Sequence, residues 1–587
     1  MRFHVPVFAA VLAGATAATL NDVCTPSYVR AHLPPPGFYQ GVSLDPSSVT
    51  ANPVTQVSVA DNDFFPDATF DYCNVSFTYS HDGLEDDRVA LTYWLPAPGA
   101  FQNRFLATGG GGYAINSGNG SLPGGIIYGA VSGLTDAGFG AAQSNTITQW
   151  LDANGTLNWH KVHMFGYQGI REMSELGKAF TTLFFNMTQM NTTLYTYWQG
   201  CSEGGREGWS QVQRYADSFD GAIVGAPAFR WSFQQTQLLY PNVVEQTMGY
   251  YPSPCELQKI VNETIISCDP LDGKIDGVVA RTDLCYTQYV EADNFSMIAG
   301  QPYSCPATPA NAVAGSPAIP TQQGNVTKQA VDVARKILQG LHDTQGRRVY
   351  FAPAPGAQMT EATTGYNATT GQWGLSVISL GGVFVEVEIN LRNGSNLPNL
   401  DGVTYDTLKD WITVGMQRFQ GVLETTWPDL TAYKEAGGKV LMFHGEADWG
   451  IPTASSVRYW ESVRKIMNPG KSYNESTAAQ NEFFKLFLVP GATHCAANPA
   501  QPDGPFPQTN LAVMIDWVEN GVAPETLNAT VLMGENKGQN QQICAWPLRP
   551  VWRGGNNATN ANPECRFDQS SVDYWNYDLD AFKVPIY

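Results

Sequence analysis

Apolar positions along this chain follow two alternating spacings. Short runs rich in β-branched and aromatic residues give way to longer stretches with helical periodicity. Strand patterns begin at residues 69–79, 89–95 and 104–108. A helix-like stretch follows at 126–137, a short strand at 138–143 and an amphipathic helix at 162–185. Leu194-Tyr195-Thr196-Tyr197-Trp198 reads as a strand and 206–217 as a helix. Residues 220–227 are apolar without alternation, as a parallel strand buried on both faces requires. The rhythm stops near Phe229 and resumes with a strand at 438–445, a helix at 455–467, a strand at 483–489 and a closing helix at 510–520. Alternating strands and helices, with glycine at the strand ends, predict an α/β class fold built on a doubly wound sheet. Residues 19–65 read as loop, with Pro34-Pro35-Pro36 blocking regular structure. The roughly 200 residues between 229 and 438 are far too long for a loop and must form a folded insertion. Within it, 306–323 is rich in Pro, Ala and Gly and reads as a surface linker.

Composition narrows the class. The chain has 587 residues and a net charge of −20, with 15% charged residues. That balance argues against nucleic acid and against anionic membranes, both of which call for Lys/Arg patches. Arg2, the apolar stretch 5–13 and Ala15-Thr16-Ala17 form a signal peptide over residues 1–18, too short to cross a bilayer. The mature protein is expected to be secreted. The ten cysteines include no C-x-x-C pair, which favours disulfides over zinc. Cys24 and Cys73 are expected to staple the N-terminal segment to the first strands, and Cys544 and Cys565 to pair in the tail. Cys255, Cys268, Cys285 and Cys305 lie in the insertion. There are thirteen N-x-S/T sequons, from Asn74 to Asn557, and most of them are expected to carry N-glycans on a secreted chain.

The candidate chemistry sits at strand ends. Gly200-Cys201-Ser202-Glu203-Gly204-Gly205 lies between a predicted strand and a predicted helix, the setting of a nucleophile elbow. A serine hydroxyl needs a base to take its proton and a carboxylate to orient that base. In the α/β-hydrolase fold the acid follows the serine along the chain and the histidine comes last. The strand at 438–445 runs into Glu446-Ala447-Asp448, and the strand at 483–489 into Gly491-Ala492-Thr493-His494-Cys495. Ser202, Asp448 and His494 are therefore the expected triad. Glu446 is the rival acid, expected to face solvent or cap the turn, and His444 is expected to pack beside the triad. Gly109-Gly110-Gly111-Gly112, after the strand at 104–108, is either a flexible loop or half of an oxyanion hole. The expected donors are the amide of Glu203 and one from Gly110 or Gly111. If Ser202 and His494 touch, their neighbours Cys201 and Cys495 come within disulfide range.

A second cluster lies in the insertion, in Cys268-Asp269-Pro270-Leu271-Asp272-Gly273-Lys274-Ile275-Asp276-Gly277-Val278. The carboxylates of Asp269, Asp272 and Asp276, with the carbonyls of Lys274 and Val278, make a candidate structural Ca²⁺ site. The alternative is a pair of Asp-Gly turns, but three carboxylates this close repel one another unless a cation neutralises them.

These residues resemble the tannase and feruloyl esterase family of secreted esterases. The likeness rests on Cys201-Ser202-Glu203-Gly204-Gly205, Asp448, His494-Cys495 and the aspartate loop 269–278. It extends through Gly204-Gly205-Arg206-Glu207-Gly208, Tyr250-Tyr251-Pro252, residues 268–285 and Phe582-Lys583-Val584-Pro585, and leans toward the filamentous-fungal tannase branch. The resemblance implies an α/β-hydrolase domain (19–228 and 431–587), an inserted lid domain with a calcium site (229–430), and a disulfide between Cys201 and Cys495. It also implies serine-esterase chemistry on a small polyphenol ester, with galloyl esters and depsides the expected substrates and feruloyl esters the alternative. A non-catalytic binding protein on the same scaffold is the rival from another class, and the intact triad argues against it.

Overall fold

The computed structural model describes residues 18–310, 318–553 and 562–587. The expected leader, apart from its last residue, the sequon at Asn557 and part of the linker at 306–323 lie outside the described residues.

Nine strands form one mixed sheet: β1 (Val42–Val59), β2 (Ala68–His81), β3 (Val89–Pro96), β4 (Arg104–Thr108), β5 (Ala130–Thr135), β6 (Tyr195–Cys201), β7 (Gly221–Gly225), β8 (Lys439–Gly445) and β9 (Phe484–Val489). Their order in the sheet is β1-β2-β3-β5-β4-β6-β7-β8-β9. The first three and the β3–β5 pair are antiparallel, and every pair from β5 to β9 is parallel. β5, β7 and β9 are buried at every position. They lie in the interior of the molecule, so their sequences lack the in–out alternation of a half-exposed strand. Helices α1 (Gly169–Phe184), α2 (Glu203–Arg214), α3 (Ala454–Met467) and α4 (Asn510–Asn520) cover its faces. This is the architecture of the α/β-hydrolases.

Three expectations fail at the N-terminal end. The segment read as loop contains β1, an 18-residue edge strand paired with β2 through two register shifts. An edge strand with one row of backbone groups facing water tolerates Pro46 and Pro53 and carries polar residues on its outer positions, which hides the alternation. The helix expected at 126–137 is instead centred on β5. Its Ser132 and Gly133 interrupt the apolar pattern, yet Gly133 is required, because a Cβ there would lie 2.8 Å from the Tyr93 ring. The strand expected at 138–143 is a single 3₁₀ turn, Gly140–Ala142.

Among the described residues, none between β7 and β8 joins this sheet. They form helices, including Trp231–Gln237, Tyr240–Met248, Pro254–Cys268, Lys328–Leu338 and Tyr405–Phe419, with small hairpins of their own. The C-terminal tail returns across this region. Trp552 N–H donates to the Asp272 carbonyl at 2.8 Å, and Arg281 pairs with Asp568 at 2.5 Å. All ten cysteines are bonded: Cys24–Cys73, Cys201–Cys495, Cys255–Cys305, Cys268–Cys285 and Cys544–Cys565. No helix among the described residues is long and apolar enough to cross a membrane.

Candidate active site

Ser202 stands between β6 and α2 with φ +64 and ψ −122, a left-handed conformation that costs a non-glycine residue on the order of 1–3 kcal/mol. The surroundings impose it. Ser202 N–H donates to Gly225 O at 3.0 Å, and Ser202 O accepts from Arg206 N–H and Ala228 N–H, each at 3.1 Å. The glycines of the motif answer to crowding at this crossing. A Cβ on Gly200 would meet Gly204 O at 2.6 Å, and one on Gly205 would meet Gly225 O at 2.5 Å. The turn therefore lifts the hydroxyl clear of the sheet edge while strand and helix remain in contact.

The loops after β8 and β9 meet that hydroxyl. His494 Nε2 lies 2.9 Å from Ser202 Oγ, and His494 Nδ1 lies 2.8 Å from Asp448 Oδ2. Asp448 is fully buried, and its other oxygen accepts from the amides of Gly450 and Ile451, both at 2.9 Å. Burial alone would raise this carboxyl; the charge of His494 and hydrogen bonds from His444 and His494 outweigh it and hold the group well below the usual carboxylate range. Burial likewise works to lower His494, but Asp448 overcomes it and raises the imidazole above its ordinary value. Asp448 is thus a fixed anion facing Nδ1, which sets the tautomer with Nε2 free to accept the serine proton.

His444 is buried behind the acid. Its Nδ1 accepts from Ser456 Oγ at 2.7 Å, and its Nε2–H points to Ile451 O at 2.9 Å and Asp448 Oδ2 at 3.1 Å. Glu446, the rival acid, departs from expectation: it is buried rather than solvent-facing. It accepts from Thr282 Oγ1 at 2.5 Å and pairs with Arg549 at 2.7 Å, so its charge is neutralised away from His494.

The expected oxyanion donors separate. Glu203 is the first residue of α2, so its amide has no acceptor within the helix. Gly110 N–H instead donates to the buried Glu207 carboxylate at 2.9 Å, and Gly111 N–H to Ala114 O at 3.2 Å. Glu207 lies one turn into α2 and needs a donor there. Gly110 O in turn accepts from Gly204 N–H at 2.9 Å, so the glycine loop is docked on the helix rather than presenting these two amides to the site. Nothing local in the sequence marks Glu207, 97 residues further along the chain, as the partner of this loop.

Ser202 and His494 open into a cavity of about 620 Å³ lined by the glycine loop, Trp231, Leu238, Leu380, Trp449 and Ile451, with Gln199, Gln234 and Gln235 among them. That volume is within the range of small-molecule sites. Cys201 and Cys495 form part of its wall, joined with a Cα–Cα distance of 6.0 Å.

The aspartate loop lies apart from this cavity. Asp269 accepts from the amides of Asp276 and Gly277 at 3.0 and 2.9 Å, and Asp272 from the Lys274 amide at 2.8 Å. Lys274 Nζ reaches Asp276 at 2.6 Å. Burial pushes the Asp272 carboxyl up to about 8, against the Lys274 amide and with the charges of Asp276 and Asp269 adding to it. A divalent cation at this loop would relieve the burial that disfavours the Asp272 anion.

Comparisons with known proteins agree over the length of the chain. The family described as tannase and feruloyl esterase matches residues 73–567. A tannase of Aspergillus oryzae is 45% identical over 597 residues, covering 99% of this chain and 98% of its own. The structure of a tannin acyl hydrolase from Aspergillus niger superimposes with a TM-score of 0.92 at 58% identity, covering 98% of this chain and 100% of that one. A probable feruloyl esterase of Arthroderma benhamiae is 31% identical over 512 residues, covering 86% of this chain and 88% of its own.

Proposed function

The chain belongs to the tannase and feruloyl esterase family, and from that premise we propose that it is a serine esterase that cleaves galloyl ester and depside bonds, releasing gallate. The observation that carries the chemistry is the unbroken relay from Ser202 Oγ through His494 to Asp448 at the mouth of one apolar cavity. The higher identity to proteins named tannase and tannin acyl hydrolase, over nearly the whole chain, favours the galloyl substrate over the feruloyl one.

In this reading Ser202 Oγ attacks the ester carbonyl as His494 Nε2 takes its proton. The oxyanion forms against the Glu203 amide, a contact of about 3–4 kcal/mol in related sites. His494 then protonates the departing alcohol, leaving galloyl-Ser202. Water enters, gives a proton to His494 and adds its oxygen to the acyl carbon; the bond to Ser202 then breaks, His494 returns the proton to Ser202 Oγ, and the acid is released. Asp448 stabilises the imidazolium throughout, and His444 holds Asp448 from behind. Residues 229–430 act as a lid over the site, and a secreted, glycosylated chain suits both the leader and the disulfides. Steady-state kinetics on methyl gallate and methyl ferulate test the reading: kcat/KM should favour methyl gallate, and a preference for methyl ferulate would assign the chain to the other substrate.

Asp269, Asp272 and Asp276, with the carbonyls of Lys274 and Val278, would hold a structural Ca²⁺. The ion would supply stability rather than chemistry, since the loop does not line the cavity. Chelation, or Asp272→Ala, should lower the melting temperature by several degrees through loss of a ligand bound only by the native state. Elemental analysis of the purified protein finding no calcium would refute the site.

A further inference from the structure

One cluster of side chains away from the cavity has a composition that the esterase chemistry does not use. His81 ends β2, Asp87 lies in the turn between β2 and β3, and His160 lies in the helix Trp159–His163. One ligand atom from each lies within 4.8 Å of the other two. His81 Nδ1 is 2.7 Å from Asp87 Oδ2, and His160 Nε2 faces Asp87 Oδ1 at 3.6 Å, beyond hydrogen-bond range. The His81 amide also donates to Asp87 Oδ2 at 2.7 Å, which holds the carboxylate in place. None of the three residues lines the cavity that holds Ser202. Their side chains are 6% to 31% exposed, with His160 the most open, so an ion can reach them from solvent.

We propose that His81, Asp87 and His160 form a binding site for a divalent transition-metal ion of the Zn²⁺ type, held by two imidazoles and one carboxylate with water completing the shell. The donors select the ion: imidazole nitrogen suits Zn²⁺, whereas Ca²⁺ takes oxygen ligands. The groups behind the ligands match what such a site needs. A metal-bound histidine gives its other ring N–H to a carboxylate, a carbonyl or water. Here Glu172, 1% exposed on α1, stands 3.1 Å from His81 Nε2. Glu172 is itself held by the Tyr79 hydroxyl and by Gln168 Nε2, the latter at 2.8 Å. That leaves His81 Nδ1 turned to Asp87, where the ion would replace the present hydrogen bond. The same turn carries Asp82, Glu85 and Asp86 against a single Arg88, so its field draws cations. Lys161, beside His160, donates to Gly138 O at 2.5 Å instead of pairing with Asp87. Two ligand atoms on a tetrahedral Zn²⁺ stand about 3.4 Å apart, so closing a set that now spans at most 4.8 Å takes a movement of about 1.4 Å or less. Rotation of the partly exposed His160 ring supplies it. The ion would staple the β2–β3 turn to the helix Trp159–His163 and stabilise the native state by mass action.

The test titrates Zn²⁺ into the full-length protein by calorimetry, with Ca²⁺ in excess throughout so that the aspartate loop stays out of the measurement. One Zn²⁺ per chain should bind saturably and raise the melting temperature. His160→Gln and Asp87→Asn should each weaken that binding by about 10-fold or more, and His160→Gln should leave the melting temperature without Zn²⁺ unchanged. Co²⁺ in place of Zn²⁺ should give the native protein the intense visible bands of a four-coordinate ion, and His160→Gln should lose them. The absence of saturable binding overturns the site. So does an affinity preserved in both variants, which would place the ion on other histidines such as His32, His163 or His342. Co²⁺ bands of six-coordinate intensity in the native protein, a reading that needs no variant, would also overturn it. None of these outcomes bears on the esterase reading, because the cluster lies outside the cavity.

Discussion

Ser202→Ala should abolish turnover, lowering kcat by about 10⁴- to 10⁶-fold while leaving a folded protein. The size of the effect follows from the geometry. The Oγ removed is the atom 2.9 Å from His494 Nε2, and the other atom near that nitrogen, Cys495 Sγ at 3.8 Å, is committed to a disulfide. Folding should survive, because the contacts that impose the turn are backbone ones to Gly225, Arg206 and Ala228, and alanine retains them. Asp448→Asn should cost on the order of 10⁴-fold by a different route: an amide at that position removes the anion that fixes the histidine tautomer. Circular dichroism and methyl gallate kinetics on both variants check the pair. Near-native turnover in a folded Ser202→Ala protein would displace Ser202 from the mechanism.

Breaking the Cys201–Cys495 bond should lower turnover as well as stability. Each cysteine adjoins a member of the relay, and Cys495 itself sits at φ +58, so the loop that carries His494 is held in a backbone state it would not choose when released. A displacement of about 1 Å at His494 can cost on the order of 100-fold in rate. On the chain-entropy account, a closure this long contributes up to about 5 kcal/mol, less whatever order the unfolded chain retains. Cys201→Ala and Cys495→Ala should therefore lose activity to a similar degree, with the double variant little worse than either, as expected of two residues acting as one unit. Additive losses would mean that each cysteine acts separately. Non-reducing peptide maps that recover Cys201 free or bonded elsewhere would exclude the arrangement.

The parts of the fold that the sequence made legible are those where local pattern and burial agree. β4 and α4 fall on their predicted bounds, and β8, β9 and α3 within a residue or so, because core strands and amphipathic helices carry strong periodicity. β1 was hidden by its exposure and its prolines, and β5 by a serine and a glycine that only the packing of Tyr93 explains. At the site, the chain order of Ser202, Asp448 and His494 and their positions after β6, β8 and β9 pointed to residues that do meet. Glu446 was misplaced, because its partner Arg549 is 103 residues away in the chain. The docking of Gly110 on Glu207 was invisible because it joins a loop to a helix 97 residues further along the chain.

The Cys201–Cys495 bond also constrains how the protein can be made. The other four disulfides join cysteines 17 to 50 residues apart, while this one spans 294. At a synthesis rate of about 5–20 residues per second, Cys201 emerges some 15–60 s before its partner exists. During that interval Cys255, Cys268, Cys285 and Cys305 all appear, each nearer along the chain and each reactive by thiol–disulfide exchange. The nascent molecule must either seal those four among themselves first or undo wrong pairings with Cys201 afterwards. Yield of active protein in a production host should then be limited by disulfide isomerase capacity, and the fraction of purified molecules able to turn over substrate becomes a count of those that finished the longest closure correctly.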